Sequence, residues 1–151
     1  MTFRRTFWLG VFLTLASAGL SAADAPVPSI DAAKYPQDTP QKALSSLVKC
    51  LGAKDYGYWI SHLITPQDSK NTIEKHGSLA KAVEFLSDDK HSTQMQERKD
   101  LMQKMLDANS STEGDDNGVK WTRFQLESRV LQFEKQSDGR WCMNIRYVGK
   151  K

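Results

Sequence analysis

Apolar residues recur at helical spacing from Ala43 to Leu106, strand-like segments follow from Val119 onward with strict alternation in the last, and between these two regimes the stretch from Ser110 to Gly118 carries no apolar side chain. A period near 3.6 buries one stripe of a helix, whereas a period of 2 buries one face of a strand. Helices first and strands later is the order of an α+β fold, not of an alternating parallel α/β sheet. The expected architecture is N-terminal helices packed on a C-terminal antiparallel sheet of three or more strands.

Local signals divide the helical part. Thr39-Pro40 starts the first helix, because Thr caps free amides and Pro suits the first helical position. Its apolar face is Ala43, Leu44, Leu47, Val48 and Leu51. Asp55 opens a short aromatic helix through Tyr56, Tyr58, Trp59, Ile60 and Leu63. Thr65-Pro66 repeats the start signal and Gly77 supplies a stop. Ser78 caps a helix whose Leu79, Ala82, Val83 and Leu86 form a core-facing stripe, and a last helix spans about Ser92 to Ala108. Residues 109–118 read as a solvated, turn-rich loop. Strands are expected near 119–127, 129–136 and 140–148, the last two joined by a turn at Ser137-Asp138-Gly139-Arg140. In the final strand Trp141, Met143, Ile145 and Tyr147 alternate with Cys142, Asn144 and Arg146, which places the apolar set on one sheet face.

The beginning of the chain carries an address. Arg4 and Arg5 precede the apolar run Phe7 to Ala16, and small residues follow through Ala23. Basic, apolar, small is the layout of a cleavable secretory signal, and the run is too short to span a bilayer. Residues 1–23 are read as the signal, cut after Ala23, with Ala18 and Ala22 as competing sites. The expected location is secreted or periplasmic. Arg4-Arg5-Thr6-Phe7 also partly matches the twin-arginine export signal, the minority route. Cleavage removes two of 21 basic residues, against 18 acidic ones, and takes the net charge from +3 to +1. Residues 24–38, which hold Pro26, Pro28 and Pro36, read as a flexible Pro-rich tether, and residues 39–151 as a single domain. Cys50 and Cys142 are the only cysteines. In an oxidising compartment they form either a disulfide, worth about 4 to 5 kcal/mol for so long a loop, or two separately buried thiols.

The segment Val130-Leu131-Gln132-Phe133-Glu134-Lys135-Gln136-Ser137-Asp138-Gly139-Arg140-Trp141 resembles the closing hairpin of the nuclear transport factor 2-like superfamily, where an Asp-Gly-basic-Trp turn leads into the last strand. Thr39-Pro40 into an amphipathic helix, then Asp55-Tyr56-Gly57-Tyr58-Trp59, is similar to the start of those cones. The resemblance implies a cone-like roll, a curved sheet wrapped around the first helix, with a pocket used for small molecules or for partners. Family members that are enzymes place an Asp, His or Tyr inside the cone. Outside the hairpin turn, the expected strands here contain no Asp or His.

Among the candidates for chemistry, His62 is the best acid or base, since His titrates near neutral pH; a structural histidine on a helix is the alternative. His91, Met95, Met102 and Met105 stack soft ligands of the kind that suit copper(I), and equally make a core stripe with Leu101 and Leu106. His62, His76 and His91 lack zinc spacing. The acidic stretch Glu113 to Gly118 puts Phe124 where a calcium loop needs a bidentate Glu. No metal or cofactor is implied. Val119 to Lys151 carries eight basic against three acidic residues, which solvated outer sheet faces also show, so nucleic acid is not expected as a partner. The favoured function is a non-catalytic binding or interaction module. Its binding residues are Tyr56, Tyr58, Trp59, Trp121, Phe124 and Trp141, with Phe133, at the mouth of a pocket or in the core. The partner is a small molecule, an envelope protein or a second copy of the chain. The alternative is a small cofactor-independent isomerase, dehydratase or hydrolase using His62.

Overall fold

A run of five helices leads into a four-stranded antiparallel sheet in the computed structural model, which describes residues 26–150. The expected signal, residues 1–23, lies outside the described residues. No helix among the described residues is long and apolar enough to cross a membrane.

Helix α1 (Pro40–Gly52) begins where Thr39 accepts a hydrogen bond from the Lys42 amide, and it buries Ala43, Leu44, Leu47, Cys50 and Leu51. After a left-handed residue, Lys54, the chain forms one turn of α2 (Tyr56–Tyr58) that widens at once into a π-helical turn, Trp59–Leu63. Tyr56, Tyr58, Trp59, Ile60 and Leu63 are all buried there, so this segment is enclosed on nearly every side. Helix α3 (Pro66–His76) is capped by Thr65 and ended by Gly77 at φ +85°, where a side chain is disfavoured. Ser78 caps α4 (Leu79–Ser87), and the Asp88 carboxylate caps α5 (Asp89–Ala108). The last helix therefore starts earlier than the expected Ser92, because Asp88 satisfies the first free amides.

The strands are β1 (Ser111–Asp116), β2 (Val119–Leu126), β3 (Arg129–Lys135) and β4 (Trp141–Lys150), in spatial order β1-β2-β3-β4. The first corrects the sequence reading, since residues 111–116 pair with β2 along their length and are not a loop. Their apolar-free composition hid them. Ladder hydrogen bonds hold this edge, and the two-residue turn Asn117-Gly118, with φ +54° and +82°, has the handedness that matches hairpin twist. Gly114 lies opposite Trp121, and a Cβ there would stand 2.1 Å from the indole ring.

Register divides the sheet into two faces. Thr122, Phe124, Leu131, Phe133 and Met143 share the face that packs against the helices, with Phe124 and Phe133 edge to face at 5.6 Å. Trp121, Arg123, Gln132, Glu134, Cys142 and Asn144 share the other. The expected alternation in β4 is incomplete, because Cys142 and Asn144 are as buried as Met143. Polar satisfaction explains Asn144: its Nδ2 donates to Glu134 Oε1, which also accepts from Gln132 Nε2, while Arg123 Nε donates to Gln132 Oε1.

The free side of β4 is closed by the segment entering α3. Ile64 bridges Met143 in parallel, the Thr65 amide donates to the Met143 carbonyl, and the Ile145 amide donates to Asp68 Oδ2. A buried carboxylate thus takes the place of a neighbouring strand, which removes an open sheet edge.

The tether reading also needs correction from Asp31 onward. Tyr35 is 1% exposed, with its ring 4.5 Å from Tyr58 and its hydroxyl donating to Asp55. Gln37 is buried as well, its Nε2 donating to the carbonyls of His62 and Trp141 while its own carbonyl accepts from the Trp141 amide. This irregular segment has no periodicity, yet it is part of the domain.

Candidate functional site

Two clefts gather the residues of interest. The first is apolar, about 260 Å³, and opens between the end of α1, the π-helical turn, α5 and the helix-facing side of β3 and β4. Leu51, Trp59, Met95, Leu101, Met102, Leu131, Met143 and Ile145 line it, with the exposed Arg98 at its rim. Trp59 is 7% exposed, and its indole N–H has no hydrogen-bond partner. Three flexible thioethers give walls that adapt to an occupant. Arg98 makes no ion pair among the described residues.

The second cleft, about 470 Å³, is more open and mixed in character, and lies between the π-helical turn, α3 and the start of β4. Ser61, His62, Ser69, Lys70, Glu74, Arg140 and Cys142 contribute to its walls over Ile64, Pro66 and Ile73.

The candidate residues divide between these places. His62 Nε2 bonds to the carbonyl oxygen of Pro28 and, since that oxygen only accepts, carries the proton. Its ring packs 4.8 Å from Tyr58. No carboxylate hydrogen-bonds to it among the described residues, which is the arrangement of a positioned structural histidine.

The aromatic residues do not converge on one mouth. Tyr56, Phe124 and Phe133 are enclosed in the core. Tyr58 is also buried and exchanges hydrogen bonds with the backbone of Asp31, and burial is the largest cause raising the phenols of Tyr56 and Tyr58 above the ordinary range. Trp121 lies on the opposite sheet face beneath the Arg123 guanidinium, 4.1 Å from the ring centre. Trp141 packs partly buried against the core. Of this set, Trp59 lines one of the two clefts described above.

Both thiols are free, which corrects the disulfide expectation in favour of two separately buried cysteines. The Cys50 thiol donates to the Asp55 carbonyl, and the Cys142 thiol faces the His62 carbonyl and Gln37. Burial, the leading cause for each, pushes Cys50 up to about 12 and Cys142 up to about 11. Protonated and enclosed, neither is a nucleophile near neutral pH.

The stripe on α5 also separates. Met95 and Met102 border the apolar cleft, Met105 is fully buried, and His91 instead stacks on Phe85 at 3.9 Å, with His76 on Phe85 at 4.6 Å. Among the described residues no group of three or more His, Cys, Asp or Glu side chains is placed to hold a metal ion.

Sequence reasoning missed Ser61, Lys70, Arg98 and Arg140. Their only local signal was the turn that carries Arg140. Comparison with protein-family models, with curated proteins and with solved structures finds no match to this chain.

Proposed function

We propose that this chain is an exported, non-catalytic binding domain that holds a small apolar molecule between the sheet and its first and last helices. The observation that carries the reading is the apolar cleft, with Trp59, Met95, Met102 and Met143 on its walls. Its volume sets the ligand's size. An apolar cavity of about 150 Å³ accommodates benzene, so about 260 Å³ fits a two-ring aromatic or a short branched acyl group. Drug-sized ligands occupy sites above about 300 Å³. The resemblance to nuclear transport factor 2-like cones belongs to this proposal, supported by helices that lead into an antiparallel sheet with a cleft between them. The enzyme alternative has less behind it, because His62 Nε2 is committed to a backbone carbonyl.

The test is titration with naphthalene and indole, followed through the methyl resonances of Met95, Met102, Met105 and Met143. Saturable shifts confined to Met95, Met102 and Met143, abolished in Leu101→Trp, are expected. If those methyls do not move up to the solubility limit of both compounds, the proposal fails. Export is tested separately, by N-terminal sequencing of the processed protein, which should begin at Asp24.

A further inference from the structure

Among the described residues that line the apolar cleft, Arg98 is the only charged one. It lies midway along α5, is exposed, and makes no ion pair or side-chain hydrogen bond with a described residue. Its guanidinium is therefore open to solvent at the mouth of a site whose walls are otherwise apolar.

The ordinary structural reasons for a cation on a helix do not apply at this position. A positive charge complements the helix dipole only in the last turn, and Arg98 is far from that end. An ion pair along the helix needs an acid three or four residues away, but the residues at those distances are Gln94, Met95, Leu101 and Met102. Glu97 is next in sequence and so projects in another direction. Asp100 accepts from Gln96 and lies 3.5 Å from Lys99, while Asp107 accepts from Gln103. Across the cleft, Arg146 follows the lining residue Ile145 but is paired with Asp68. The cleft is left with one uncompensated positive charge.

The indole N–H of Trp59 is enclosed, so it offers nothing to a ligand, and Arg98 is the polar handle of the site. Few polar groups in an apolar pocket fix the orientation of what enters it. A guanidinium presents a planar fork that matches the two oxygens of a carboxylate, and its methylene stem covers apolar surface while the charged head stays in water. An occupant that satisfies both parts of the cleft has an apolar body and an anionic end.

We propose that the ligand of the apolar cleft is an amphipathic organic acid, with its apolar body between α1, α5 and the sheet and its carboxylate held at the mouth by Arg98. The inference rests on the reading of that cleft as a binding site and adds the chemical class of what binds there.

The experiment compares naphthoate with naphthamide, a neutral molecule of the same shape, by titration of the folded protein followed through the methyl resonances of Met95, Met102 and Met143, with naphthalene as the reference. At low salt the carboxylate should bind about fivefold more tightly than the amide, the upper end for a pair that stays in contact with water. The preference should shrink as salt rises from about 10 mM to about 1 M, because the screening length falls from about 30 Å to about 3 Å. In Arg98→Gln the carboxylate should bind no more tightly than the amide, and Arg98→Lys should keep part of the preference, since it retains the charge and loses the fork. Lys104→Gln removes the same charge from an exposed position on α5 outside the cleft walls, and it should keep the full preference. If the three compounds bind and the carboxylate has no advantage, or if its advantage survives in Arg98→Gln or is lost equally in Lys104→Gln, the organic-acid inference is overturned while the apolar site stands. If none of the three moves the methionine methyls, both are overturned.

Discussion

Replacing Asp68 by alanine should be among the most damaging single changes outside the apolar core. The carboxylate is 1% exposed, and its Oδ2 accepts from the Thr65 hydroxyl at 2.7 Å and from the Ile145 amide at 3.1 Å. Arg146 Nε lies 3.3 Å from Oδ1, but its side chain is 61% exposed, so that pair contributes less than about 1 kcal/mol. The larger cost is the stranded amide. Ile145 sits on the edge of β4 that no strand covers, and an unpaired buried donor costs about 1 to 3 kcal/mol. With the Thr65 bond worth about 1 kcal/mol, Asp68→Ala should lose about 3 kcal/mol. Asp68→Asn keeps an oxygen for the Ile145 amide and should lose about 1 kcal/mol by the same reasoning. Urea unfolding followed by far-UV circular dichroism gives both values, with the midpoint shift interpreted at unchanged slope. Amide exchange at Ile145 should accelerate in the alanine variant and not in the asparagine one. An alanine cost below about 1 kcal/mol, or equal costs for the two variants, would refute the idea that this carboxylate acts as a substitute strand partner.

Tyr35→Ala should destabilise by about 3 kcal/mol, the range for emptying a buried aromatic site, and a urea midpoint equal to wild type would restore the tether reading. The two thiols should resist a disulfide-exchange reagent at about pH 8 in the native protein and react fully on unfolding; rapid labelling of folded protein would contradict their burial. Because folding raises both thiol values above their usual 9, the native state retains protons that the unfolded chain releases. Their contribution to stability is complete below pH 9 and is lost as pH climbs towards about 11 for Cys142 and about 12 for Cys50. Cys142→Ala should therefore show a shallower loss of stability with alkaline pH than wild type.

Much of the helical half was legible because its signals act within one turn. Thr39, Thr65 and Ser78 each cap the helix that follows, and Gly77 ends α3 in the left-handed conformation. The positions of β2 to β4 were legible as well, although the alternation expected in β4 is incomplete. Strand β1 was not, since polar side chains carry no periodicity and only pairing with β2 makes it a strand. Asn117-Gly118 was the local clue to that hairpin.

The candidate site was hardly legible at all. Adjacent aromatic residues looked like one lining, but register sends Trp121 and Phe124 to opposite faces of the sheet. Conversely, Ser61 and Arg140 are far apart in sequence and meet on one cleft because the π-helical turn and α3 flank β4. The sequence by itself determined the helix starts and stops, the apolar stripes and the order of helices before strands, all of which depend on neighbours within a few residues. Only the tertiary structure decided that residues 31–38 are docked, that the cysteines lie apart, and which side chains share a cleft. Those outcomes depend on how distant segments pack, and no local pattern encodes that.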